Sequence, residues 1–174
     1  MSRQSPTATS LLADGFDRVR DLVGGVVDGL DPDALGWRPD GTGNSIGWLV
    51  WHLTRIQDDH LADAAGAAQV WTELGWADRF GLPFDLAETG YAMESSDVDR
   101  VRVDSPDLLR EYHEATHRQT LEHLHGWDDA SLARVVDGRW DPPVTLAVRL
   151  VSVLSDDLQH VGQAAYVRGL RPSS

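Results

Sequence analysis

Two imidazoles and one carboxylate, correctly placed, make a metal site, and the sequence offers that combination at His52, Asp156 and His160. Asp156 and His160 stand four residues apart, so on a helix they project from one face and can bite one cation, with His52 completing three ligands from a facing helix. Such a set leaves at least one position open on tetrahedral zinc, as catalytic sites do. On spacing alone a blander alternative stays open. A histidine at the edge of an apolar stripe is usually a hydrogen-bonded boundary residue, and an Asp beside it is usually its partner.

Two further patterns compete for the chemistry. His113-Glu114-Ala115-Thr116-His117 fits H-E-x-x-H, in which two histidines on one helix face hold zinc and the glutamate activates water. His123 extends the match, but Thr120 stands where the longer motif bends at glycine, and at about 100° per residue an unbroken helix carries His123 far around from His117. No methionine follows Met93 and no glutamate follows Glu122, so the alternative of pocket-lining or surface histidines is preferred. Gly43-Asn44-Ser45-Ile46-Gly47 matches the G-x-S-x-G nucleophile elbow, yet the turn-rich Arg38 to Thr42 precedes it where the elbow needs an apolar strand. A helix cap, with Asn44 as the capping residue, is the expected role.

The elements that must position these groups read as helices. Leu12, Phe16, Val19, Leu22, Val23, Val26, Val27 and Leu30 recur at three and four residues, predicting an amphipathic helix over 9–30 that Asp31-Pro32 ends. A second helix is expected from Asn44 to about Ala65, a third from the Ser105-Pro106 start to Gly126, and a fourth from Thr145 to Gly169. The fold class is therefore all-α, a four-helix bundle with a long irregular connection between the second and third helices. That connection, 67–104, holds Trp71, Trp76, Phe80 and Phe84. It is either a cover for core surface or a lid in which Trp76 borders the open coordination position and contacts substrate. With 174 residues the whole of 1–174 is expected to be one domain, with 1–8 as a disordered tail.

Composition narrows the function classes. The chain has no cysteine, which excludes disulfides, thiolate zinc sites and a cysteine nucleophile, so any thiol chemistry needs a thiol from outside. A net charge of −13 disfavours nucleic acid and anionic membrane surfaces as partners. No apolar run approaches a bilayer span and the first ten residues are polar, so a cytoplasmic location is expected. Every basic side chain is Arg and Ala, Val, Gly and Asp are heavily used, which points weakly to a GC-rich source.

Trp48-Leu49-Val50-Trp51-His52-Leu53, together with Asp156-Asp157-Leu158-Gln159-His160-Val161-Gly162-Gln163 and the trailing Tyr166-Val167-Arg168-Gly169, resembles the DinB superfamily. It is particularly similar to the actinobacterial branch that includes mycothiol-dependent maleylpyruvate isomerase. The resemblance runs from the first helix to Gly169 and implies a four-helix bundle holding a divalent metal, zinc first, with nickel or iron as alternatives. It implies His52 and His160 as ligands and places the third on Asp156, where many relatives have histidine and the isomerase branch a glutamate. Asp157 is the fallback if the register is off by one. Gln163, one turn past His160, is expected beside the ligands or against substrate.

The activity so implied is metal-dependent thiol S-transfer or thiol-dependent isomerisation, using an exogenous low-molecular-weight thiol such as mycothiol and a small electrophile. The isomerase's own reaction is not carried over, because that enzyme has a further C-terminal domain. A metal-dependent hydrolase and a non-enzymatic metal or ligand binder are the alternatives. The resemblance also allows a homodimer.

Overall fold

The computed structural model describes residues 6–171. Four long helices dominate: α1 (Ala8–Val27), α2 (Ile46–Ala65), α3 (Pro106–Gly126) and α4 (Leu146–Leu170). Each begins where local chemistry can satisfy its first backbone N–H groups. Thr7 and Ser10 form a reciprocal capping box on α1, while Ser105 followed by Pro106 opens α3 and Thr145 caps α4. Residues 1–5 of the expected tail lie outside the described residues. The first helix stops at Val27, short of the expected Leu30, with Asp28 at its C-cap, and Asp31-Pro32 does not end it but opens a short helix, Pro32–Gly36, which Asp31 caps.

Bonds between the helices fix their directions. His60 meets Arg149 while His52 meets His160, so α2 and α4 run antiparallel. Thr54 bonds His113 and Gln57 bonds Thr120, so α2 and α3 run in the same direction. Gly15 abuts Leu154, and Arg168 donates to the carbonyls of Gly25 and Val26, making α1 and α4 parallel as well. Parallel neighbours about 30 Å long cannot be joined by a tight turn. Residues 66–105 therefore travel back along the bundle, which is why the connection is long. It carries three short helices, Val70–Glu73, Trp76–Phe80 and Ser95–Val98.

A buried polar clamp fastens this crossover. The Asp58 carboxylate accepts from the backbone N–H groups of Val70 (2.8 Å) and Trp71 (2.7 Å) and from the Tyr112 hydroxyl (2.9 Å). Arg55, fully buried, donates to Gln69 Oε1 and to the carbonyls of Leu86 and Glu88. Burial pushes the Asp58 carboxyl upward, and those donors oppose the shift. Trp71, Trp76 and Phe80 pack their rings around Tyr112 at 5.2–5.7 Å, closing the core over α3. Before α4 the chain forms a short helix, Asp129–Leu132, and a small antiparallel pair, β1 (Val135–Asp137) with β2 (Val144–Thr145). Among the described residues no helix is long and apolar enough to cross a membrane.

Candidate metal centre and its cavity

The antiparallel register of α2 and α4 brings His52 opposite the Asp156/His160 face. One ligand atom from each of His52, Asp156 and His160 lies within 4.8 Å of the others. His160 Nε2 is 3.5 Å from Asp156 Oδ1, and the two imidazoles meet edge to face with centroids 4.8 Å apart.

Both rings are held from behind. His52 Nδ1 lies 2.6 Å from the Thr89 carbonyl, which can only accept, so Nδ1 carries the proton and Nε2 keeps its lone pair. His160 Nδ1 lies 3.0 Å from Gln163 Oε1, which orients the ring with Nε2 toward Asp156. Trp48 stacks on His52 at 4.6 Å and is itself tied through Nε1 to Met93 Sδ at 3.3 Å. The crossover thus reaches over the centre at Thr89-Gly90. An added Cβ at Gly90 would stand 2.8 Å from His52 Nδ1, so only glycine permits this approach, and its φ of +90° suits no other residue well.

Electrostatics favour a cation. Burial lowers the pKa of His52, keeping it neutral, while the Asp156 hydrogen bond raises that of His160. Asp156 is half-buried, which pushes its carboxyl up, but the hydrogen bond and charge of His160 outweigh this and its pKa is lowered. One imidazole with a directed lone pair, a second whose Nε2 proton a cation would displace, and an ionised carboxylate form a donor set that suits a divalent transition metal.

The centre opens into a cavity of about 940 Å³ whose lining includes His52 and Asp156. Deeper along α2, His60 Nδ1 accepts from Arg149 Nη1 at 2.9 Å, and Arg149 also stands 3.6 Å from Asp137 and 3.7 Å from Asp63. Burial first, and then the Arg149 charge, lower the pKa of His60. Two exposed aromatics, Tyr91 and Trp140, line the same cavity.

The structure separates the other candidates from this centre. Asp157 is turned away from the His pair onto the core stripe of α4 and is fully buried, so the carboxylate beside the histidines is Asp156. Gln163 touches His160. Trp76, expected at the open position, is instead buried among Tyr112 and Arg79 and does not line the cavity, because its short helix packs inward on α3. Ser45, not Asn44, caps α2, its hydroxyl accepting from Trp48 N–H at 3.2 Å, so no nucleophile elbow exists there. In the H-E-x-x-H stretch, His113 and His117 are buried in the bundle while Glu114 faces solvent, so the three do not converge. Sequence reasoning had no signal for Thr89, whose backbone does the work, or for the His60 and Arg149 pair, which meet only across α2 and α4.

A family model described as the DinB superfamily matches residues 15–164 of this chain. The crystal structure of a conserved protein from Enterococcus faecalis is similar to it, with 27% sequence identity and a TM-score of 0.88 over 94% of this chain and 96% of that one. No curated protein matches.

Proposed function

Since the chain belongs to the DinB superfamily, we propose that His52, Asp156 and His160 hold a divalent metal, zinc first, and that the protein is a metal-dependent thiol transferase. It would act on an exogenous low-molecular-weight thiol, with mycothiol as the first candidate, and a small electrophile. The observation that carries the reading is the convergence of these three side chains, with each imidazole anchored at Nδ1 so that Nε2 is left for the cation. When bound, such a cation supplies Lewis acidity that lowers the pKa of a thiol in its open position.

The chain's own residues do the rest. The Thr89 carbonyl fixes the orientation and tautomer of His52, Gln163 orients His160, Asp156 supplies the negative charge, and Trp48 shields the His52 ring from water. The cavity gives the reactants room, and its far wall offers Arg149 and neutral His60 as hydrogen-bonding groups. In the transfer itself the thiol sulfur bonds to the electrophilic carbon, the leaving group departs with the bonding pair, and the thiol proton passes to solvent. A protein without cysteine cannot supply that sulfur itself.

The test has two parts. Metal content is measured on the purified protein and on His52→Ala, and consumption of a chromogenic aryl halide is followed with and without mycothiol. Metal bound by the parent and lost in the variant, with thiol-dependent consumption, is the expected result. Consumption that ignores the thiol overturns the transferase reading and leaves a hydrolase or a binding protein.

A further inference from the structure

The core of the bundle is split in two. Leu49, Leu53, Leu109, Tyr112 and Val161 belong to one apolar cluster, and Phe16, Leu61, Leu124, Leu150 and Val153 to another. The break falls at one height on facing helices: between Leu53 and Leu61 on α2, between Tyr112 and Leu124 on α3, where only Ala115 intervenes, and between Val153 and Val161 on α4. Polar side chains fill it, namely Thr54 and Gln57, then His113, Thr116 and His117, then Asp157, none more than 2% exposed. None of them lines the cavity described above.

Their hydrogen bonds leave buried polar atoms without partners. The Thr54 hydroxyl gives its proton to the Val50 carbonyl at 2.8 Å, so at 3.1 Å it accepts from His113 Nδ1, and His113 Nε2 is left as a bare lone pair. His117 Nε2 donates to the Asp17 carboxylate at 2.9 Å, leaving Nδ1 bare. The Gln57 amide donates to Thr120 Oγ1 at 2.7 Å. His113 Nε2, His117 Nδ1, Gln57 Oε1, Thr116 Oγ1 and both Asp157 oxygens are buried with no partner among the described residues. Native interiors rarely leave such a group unpaired, and here six atoms are concentrated in one layer.

We propose that the centre of the bundle is an internal binding site for water, where a few ordered molecules donate to His113 Nε2, His117 Nδ1 and Gln57 Oε1 and link them to Asp157. Each water can donate to the bare imidazole and amide acceptors and accept from a hydroxyl, and it is stable where two to four polar groups surround it. A directly bound ion fits less well. Among the described residues only His52, Asp156 and His160 converge as a trio within 4.8 Å, whereas the central imidazoles and carboxyl stand too far apart to share one cation and suit bridging by solvent. This inference is independent of any activity at the metal centre.

The test is a high-resolution crystal structure of the full chain, with water-deuteron relaxation dispersion on the same protein in solution. Enclosed waters within hydrogen-bond reach of His113 Nε2, His117 Nδ1 and Asp157, and a slow-exchange relaxation excess that falls in Asp157→Leu, are the expected results. A dry layer in which Asp157 bonds the imidazoles directly overturns the proposal. So does an excess unchanged by Asp157→Leu, or, if that variant does not fold, by Thr116→Val. A metal equivalent that survives replacement of both His52 and His160 by Ala but vanishes with His113→Ala would also overturn it, because the layer would then hold an ion.

Discussion

Gly90→Ala would perturb the candidate metal centre while leaving every proposed ligand in place. The new Cβ would lie 2.8 Å from His52 Nδ1, 3.1 Å from the Trp51 ring and 3.2 Å from the Trp48 ring, closer than real Cβ atoms tolerate in the first case. Both tryptophans are locked in the core, so the 89–91 segment must back away and take the Thr89 carbonyl with it. His52 then loses the partner at 2.6 Å that fixes its tautomer. Loss of such an orienting group typically costs about 10- to 100-fold in metal affinity, or about 1.4–2.7 kcal/mol. The backbone adds a separate stability cost of about 1–3 kcal/mol for a non-glycine residue at φ +90°. Gly81→Ala isolates that second effect, because Gly81 also has positive φ (+57°) but its Cβ would meet nothing nearer than 3.9 Å. The assay is zinc affinity by chelator competition, with thermal melts of the metal-free proteins. Gly81→Ala should melt lower and bind zinc as the parent does, whereas Gly90→Ala should also bind more weakly. Parental zinc affinity in Gly90→Ala would refute the claim that the crossover orients His52.

Three other outcomes are expected. Replacing His52, Asp156 or His160 by Ala should remove most bound metal, while His113→Ala and His117→Ala should leave metal content near the parent's, as read by elemental analysis. Trp76→Ala should lower stability by about 3–5 kcal/mol as a core truncation, with metal content unchanged, which denaturant melts and elemental analysis check together. Burial, with help from the charges of His117 and Arg20, pushes the His113 pKa down to about 3. An unfolded chain takes up that proton below about 6.5, so stability should decline as pH falls from there toward 3, by up to about 1.4 kcal/mol per unit. Urea melts across that range should show a shallower decline in His113→Gln, and an unchanged slope would refute the assignment.

What was readable in the sequence is what neighbours along the chain decide. Helical periodicity, the Ser105-Pro106 start, the Thr145 cap and the i, i+4 pairing of Asp156 with His160 are local, set by backbone geometry and side-chain reach within one or two turns. Two local readings needed adjustment: Ser45 takes the cap expected of Asn44, and the first helix stops at Val27, so that Asp31-Pro32 starts a short helix instead of ending the first. Joining His52 to a pair a hundred residues away came from resemblance to a family, because spacing cannot say which helices face each other. The antiparallel register of α2 and α4 decides that, and the same register turns Asp157 into the core although it adjoins Asp156. The inward packing of Trp76, the carbonyl of Thr89 behind His52, the His60 and Arg149 contact and the polar layer through the bundle depend on side chains or backbone brought together by packing. A backbone carbonyl has no sequence signature, and a buried histidine reads like an exposed one until its neighbours across the core are known.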